Sequence, residues 1–368
     1  MWRIIYAISI LSGTIIGVGF FALPYLTLQV GPWLMLSYFV ILGTVVILLH
    51  YFFAEIAIKT ADLKRLPGFV KEHLGLSYYR IALIVGILGI LGANLAYLIV
   101  GGRFLSAITE PILGFGDNFY TFFYFLIGSL LIFFGAKAIG QVQFWGLILL
   151  LIIFLTTFIQ EREAIDISSL TFELDFSYFL IPYGVVLFSL WGLGLVPEAE
   201  EILGKRKDLL KKIVIWAIII PIIIYLFFIF LILGLMGTAT PPDALTGLQN
   251  FLNDELVFLI LFLAVLTTFT SYIALGLTLK KILWYDLGIN RILAWIITCF
   301  PPLIFYFLGA KDFIQVIALI GGTMLAIEGI LVSLMYRKVG RASLKPLVYP
   351  IIFILVIGAV CQIIFFFL

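Results

Sequence analysis

From about residue 4 to about residue 367 the chain is a succession of apolar runs, each long enough to cross a lipid bilayer as a helix at ~1.5 Å per residue. The runs cover about 4–28, 33–58, 79–109, 119–136, 140–160, 176–203, 212–236, 255–285, 290–308, 312–336 and 347–367, which makes eleven expected spans. Inside lipid a backbone N–H or C=O has no water to bond. Runs of this kind therefore fold as helices that satisfy their own backbone. The expected fold class is an all-α polytopic membrane protein. Composition agrees: 64% of the 368 residues are hydrophobic and 11% are charged, against roughly 25% charged in a soluble domain. Connections between runs are short and carry no low-complexity linker, so 1–368 reads as a single transmembrane domain. Met1 to Arg3 and the apolar run behind them lack a small-residue cleavage site and read as a retained first helix.

Charge fixes the expected orientation. With the N-terminus inside, all of the 22 lysines and arginines except Arg103, Arg162 and Lys311 fall in cytoplasmic segments, while acidic residues cluster on the other side from Glu161 to Asp175. A missed span would invert every loop after it and destroy this bias. The chain is expected in the cell membrane, N-terminus cytoplasmic and C-terminus outside. A net charge of +2 argues against a nucleic-acid surface. Cys299 and Cys361 sit inside apolar runs as small hydrophobes, and no disulfide framework is implied.

The first run contains Gly13, Gly17, Gly19 and Pro24 within twelve positions. Glycine costs conformational entropy in a helix and proline removes a donor, so the helix is expected to break here. A break in lipid survives only where it is buried in protein or lines a polar cavity. The sixth run repeats the pattern in Trp191, Gly192, Gly194 and Pro197. Matching breaks in the first and sixth helices are the mark of a five-plus-five inverted repeat, about 1–160 and 176–338, with an extra helix over about 347–367. Close helix packing explains a single break equally well, and Gly13 with Gly17 fits that small-residue spacing. The same stretch matches a loose nucleotide fingerprint, but the strand and soluble βαβ unit that fingerprint needs are absent from the pattern.

Ser12 to Pro24 (SGTIIGVGFFALP) resembles the first-helix motif of the amino acid/polyamine/organocation superfamily. Phe188 to Glu198 (FSLWGLGLVPE) and the basic loop after it are similar to that group's sixth helix. Pro197 with Glu198, Thr270 to Leu277 (TSYIALGL), and Tyr285 with Asp286 lean toward its aromatic and auxin-type amino acid permease branches. The resemblance implies a LeuT-type fold and a secondary transporter working by alternating access. In it, helices one, two, six and seven rock against three, four, eight and nine.

A helix that stops and restarts leaves carbonyls at the end of one half and N–H groups at the start of the next, each carrying partial charge. An α-amino acid is the complementary ligand, and no charged side chain is needed at that depth. The resemblance implies a carboxylate on the backbone of Val18 and Gly19 beside Gly17, and an ammonium on carbonyls of Ile15, Phe188 and Trp191. The substrate's side chain then meets Trp191, Gly194, and Tyr97 or Asn94 on helix three. With an aromatic wall, and glycine at 194 where many relatives carry an acid, the expected substrate is a neutral amino acid, apolar or aromatic.

Thr267, Thr270 and Ser271 share a face of helix eight. By resemblance a sodium ion would lie between that face and the first break, on carbonyls of Gly13, Ile16 and Thr267 and hydroxyls of Thr270 and Ser271. Hard oxygen ligands suit a hard cation. Hydroxyls in membrane helices also bond carbonyls of their own helix and do nothing further. Helix five lacks the lysine that replaces the ion in some proton-coupled relatives, which favours sodium. Beyond this coupling ion no cofactor is expected. Glu328, deep in helix ten, and Glu198, where helix six meets the cytoplasm, are coupling or gating candidates, and His50 and Glu55 lie toward the end of helix two. An exchanger and a non-transporting amino acid sensor share all these features. A membrane enzyme would need a convergent nucleophile, acid–base pair or metal cluster, and a channel would need a filter or charged rings; the sequence offers neither.

Overall fold

In the computed structural model, residues 2–60, 64–135, 139–166 and 176–367 are described. Lys137 and the acidic stretch beyond residue 166 lie outside them. The described chain is helical, with fifteen α-helices joined by short 3₁₀ and π turns and no strands. They are α1 (Trp2–Ile15), α2 (Leu23–Val30), α3 (Pro32–Lys59), α4 (Leu66–Leu74), α5 (Leu76–Leu113), α6 (Asp117–Phe134), α7 (Ile139–Gln160), α8 (Ile181–Ser189), α9 (Val196–Leu203), α10 (Leu210–Met236), α11 (Asp254–Lys281), α12 (Arg291–Phe307), α13 (Phe313–Ile320), α14 (Ala326–Val339) and α15 (Val348–Phe367).

By length and composition, seven helical stretches are able to cross a membrane, or eight when the bent pair over residues 3–30 is taken as one span. One stretch, 181–239, holds two of the expected runs, and the apolar helices over Phe144–Gln160 and Arg291–Phe307 are shorter. Each expected run thus falls on a helix or a broken pair. One element is additional: α4, between the second and third runs, is too short to span and carries Lys71, Glu72 and His73 in its last turn.

Element ends follow local chemistry. The side chains of Asn253, Asn290 and Asp312 accept backbone N–H groups at the starts of α11, α12 and α13. Prolines stand in the first turns of α2, α3, α8 and α9, where a missing N–H costs nothing. The end of α6 is closed from outside its own chain segment. Buried Lys280 donates to the Ile132 and Phe133 carbonyls at 2.7 and 2.8 Å, and Arg291 joins on Phe133, cations placed at the negative end of the helix dipole.

Two packed groups emerge. Helices α1 and α3 pack on α9 and α10, while α5 packs on α6, α11 and α12, and α11 on α7. The tenth run touches both groups, through α13 on α5 and α8 and α14 on α3 and α5. Between α8 and the π turn Gly321–Leu325 the approach is backbone on backbone: a Cβ added at Gly184 would overlap Ala318, and one at Gly321 would overlap Gly184.

The basic loops meet at one end of the molecule. There Lys59 reaches the Val339 carbonyl, Lys207 the Ile58 carbonyl, Arg65 pairs with Asp286, and Arg341 with Glu55. At the opposite end Arg103 donates to the Lys311 carbonyl and Lys311 to Asn118. The positive bias read along the sequence is therefore a bias between two physical ends.

Candidate functional site

The first run breaks after Ile15. Gly17 is extended at φ −118°, ψ −158°, its N–H turns back to the Ile15 carbonyl at 2.8 Å, and the chain resumes as a 3₁₀ turn over Val18–Ala22. The two halves are bent by 51°. The sixth run breaks between Ser189 and Leu193, with the Trp191 N–H on the Phe188 carbonyl and a 3₁₀ turn before α9.

The two breaks touch each other, and glycine is what permits it. A Cβ at Gly192 would stand 2.7 Å from Cγ1 of Ile15, and one at Gly19 would meet the Ser189 hydroxyl and stand 3.0 Å from the Phe188 ring. A Cβ at Gly17 would lie 2.5 Å from the Tyr97 hydroxyl. That hydroxyl accepts the Val18 N–H at 3.3 Å. Thus Ile15, Gly17, Val18, Gly19, Phe188, Trp191 and Tyr97, named from sequence, are brought together.

Two of the named residues stand apart. Asn94 faces α11 beside Gly276, and its side-chain oxygen is buried without a partner among the described residues. Gly194 is exposed, with no atom within 4 Å of where its Cβ would stand. On the other side of the first break Val18 to Leu23 are buried, under an aromatic cluster in which Phe20, Phe154 and Phe228 meet and Phe21 meets Phe104. The breaks are sealed on the α2 side.

Three groups at the breaks were not assigned to them from sequence. Tyr225 of α10, fully buried, places its hydroxyl 2.8 Å from both the Ile15 and the Ser189 carbonyls. A hydroxyl has one proton and donates to one of them at a time, so two carbonyl oxygens from the two breaks converge with a single donor between them. Such a pair attracts a cationic donor. The sequence signal was its isolation, a lone hydroxyl in the apolar run of α10. The Ser189 hydroxyl, buried beside Gly19, has no hydrogen-bond partner among the described residues. Nε2 of buried His50 accepts the Gly192 N–H at 3.2 Å while Nδ1 lies 2.8 Å from the Val46 carbonyl, a pattern that assigns the neutral tautomer with its proton on Nδ1.

Of the residues named for a cation, Ile16, Thr267 and Ser271 line one small cavity with Gly17 and Tyr97. At about 10 Å³ it has room for one water. A Cβ at Gly13 would meet Leu147 of α7 at 3.8 Å, and the Thr270 hydroxyl bonds the Leu266 and Thr267 carbonyls of its own helix at 3.0 Å. A larger cavity of about 380 Å³, lined by Arg103, Asp117, Asn118 and Lys311 among others, opens at the far end away from the broken backbone.

Glu328 reaches the second break: its carboxylate accepts the Trp191 indole N–H at 2.9 Å. Glu198 lies in the first turn of α9, one oxygen buried without a partner among the described residues. Glu55 is enclosed by Lys59, Arg341 and Tyr336 at the basic end.

A model of the tryptophan/tyrosine permease family matches residues 2–365. No curated relative matches the sequence. Among solved structures, MhsT in complex with L-phenylalanine is similar at 12% identity and TM-score 0.66, over 98% of this chain and 97% of that one. The inward-facing conformation of Mhp1 is similar at 15% identity and TM-score 0.69, over 97% and 88%. A manganese transporter of Eremococcus coleocola is similar at 14% identity and TM-score 0.66, over 97% and 85%. At these identities the likeness is one of fold, the LeuT-type architecture of broken helices.

Proposed function

The chain belongs to the tryptophan/tyrosine permease family, and from that premise we propose that it imports an aromatic amino acid, tryptophan or tyrosine, by alternating access around the two breaks. It is an integral membrane transporter and not an enzyme. The observation that carries the substrate reading is the convergence of Ile15 and Ser189 carbonyls on the Tyr225 hydroxyl beside the Val18 and Gly19 backbone. Carbonyls on one side and N–H groups on the other complement an α-ammonium and an α-carboxylate. Trp191 and Phe188, at the second break, supply the aromatic surface for the ring. The MhsT structure, a protein of the same fold, holds L-phenylalanine, which supports the same ligand class here.

We carry forward eleven spans in two inverted repeats and one extra helix, within the amino acid/polyamine/organocation superfamily near its aromatic amino acid branches. The basic end is assigned to the cytoplasm, with the N-terminus inside and the C-terminus outside the cell membrane. On that assignment the aromatic cluster closes the breaks toward the outside. The test is a panel of amino acids in proteoliposomes. Concentrative uptake of tryptophan or tyrosine on a sodium or proton gradient supports the reading. Exchange with preloaded substrate alone would make the protein an antiporter, and binding without flux a sensor.

The sodium proposal rests on Ile16, Thr267 and Ser271 around their one-water cavity, with the Thr270 hydroxyl joining once it leaves the carbonyls of its own helix. Replacing Thr270 by valine and Ser271 by alanine together is expected to eliminate sodium stimulation of uptake while exchange continues. Sodium stimulation equal to that of the parent protein would dismiss this site.

A further inference from the structure

Adjacent residues in the second break are held by ionisable side chains from two different helices. His50 of α3 accepts the Gly192 N–H, and Glu328 of α14 accepts the Trp191 indole N–H. We propose that Glu328 is the proton-binding group through which this transporter couples uptake to a proton gradient, with Trp191 transmitting its protonation state to the break in helix six. The proposal rests on the transport reading and is independent of whether sodium also binds beside α11.

The argument starts from what surrounds the carboxyl group. Among the described residues no lysine, arginine or histidine forms an ion pair with Glu328. From α5 it faces Gly86, and the nearest basic residue on that helix, Arg80, is about one and a half turns closer to the basic end. From α3, His50 stands behind Trp191 with 6.1 Å between ring centroids, and both its nitrogens are engaged. From α15, Leu355 packs beside the following Gly329. Glu55, Lys59 and Arg341 form their own cluster with Tyr336, about two turns further along α14. An acid in the membrane interior that meets one indole and, among the described residues, no cation is costly to keep as an anion.

Protonation changes the bond that Glu328 makes. The carboxylate accepts the indole N–H in a charge-assisted hydrogen bond, roughly twice as strong as a neutral one. Adding a proton from water converts one oxygen to a hydroxyl, leaves the other to accept the indole as a neutral carbonyl, and loosens the tie between α14 and residue 191. Releasing the proton restores it. A substrate that displaces Trp191 must, by the reciprocity of linked equilibria, change the proton affinity of Glu328 by the same factor. Glu328 and Trp191 are both partly exposed.

Glu328→Gln keeps an oxygen acceptor for Trp191 and removes the titration. In proteoliposomes at fixed sodium, the parent protein is expected to concentrate labelled tryptophan or tyrosine on an inward proton gradient and to acidify the lumen as it does so. Glu328→Gln should lose both while still exchanging labelled for unlabelled substrate at a reduced rate, and Glu328→Asp should recover part of the proton-driven accumulation. In detergent, substrate affinity of the parent protein should change at least ~10-fold across the titration of the acid, with a flat profile in Glu328→Gln. Proton-driven accumulation by Glu328→Gln equal to the parent's would overturn the proposal. So would exchange by the parent protein without any response to a proton gradient, which leaves the transport reading standing. A parent protein that neither binds nor exchanges any aromatic amino acid would overturn both.

Discussion

Gly19→Val is expected to abolish binding and uptake of the amino acid substrate while the protein still inserts and accumulates in the membrane. A Cβ at position 19 would overlap the Ser189 hydroxyl, approach the Ser189 Cα at 3.2 Å and press on the Phe188 ring at 3.0 Å. Two of those neighbours are ends of side chains that turn, but the Cα belongs to the second break and yields only if that break moves. The valine methyls compound the overlap. Overpacking of this kind costs ~3 kcal/mol at the upper end of its usual range, roughly a hundredfold in an equilibrium constant, and the displaced groups are the N–H and C=O groups assigned to the substrate. The checks are equilibrium binding of labelled tryptophan and tyrosine, uptake in proteoliposomes, and membrane yield. Normal transport by Gly19→Val would remove the first break from the site.

Tyr225→Phe should have the second largest effect, with uptake lowered roughly 10- to 100-fold at nearly unchanged volume. The phenyl ring remains packed against Phe20, but the Ile15 and Ser189 carbonyls lose their shared donor. An orphaned buried carbonyl costs ~1–3 kcal/mol. Here the loss also unties two helices that must keep register for the site to exist. The effect should appear in binding and uptake together and exceed the change in thermal stability of the detergent-solubilised protein. A variant that transports normally would show that the convergent carbonyls are packing and not recognition.

The fold could be read from sequence because the bilayer leaves so few solutions. Long apolar runs must be helices, and Gly13, Gly17, Gly19 and Gly192 to Pro197 announced where two of them stop. Contacts that depend on three-dimensional convergence were hidden. Nothing in the order of residues shows that Tyr225 bridges residues 15 and 189, or that His50 holds Gly192. Asn94 and Tyr97 are three positions apart on α5, yet one faces Gly276 of α11 and the other the first break. Helix α4 escaped because a nine-residue amphipathic piece has no spanning signal to stand out against its neighbours. The helix-eight hydroxyls illustrate a different limit: shared periodicity placed Thr267, Thr270 and Ser271 on one face, but it is the carbonyl each hydroxyl chooses that decides what it is free to hold.

The backbone contact between Gly184 and Gly321 sets the mechanics of any motion that opens the sealed side. Two peptide chains in direct contact have no side chain between them to act as a bearing, so α8 and the π turn of the tenth run behave as one lever. On the α8 arm such a lever bends at the Ser189–Leu193 break. Trp191 lies within that break and bonds Glu328 of α14, so their hydrogen bond crosses the joint itself.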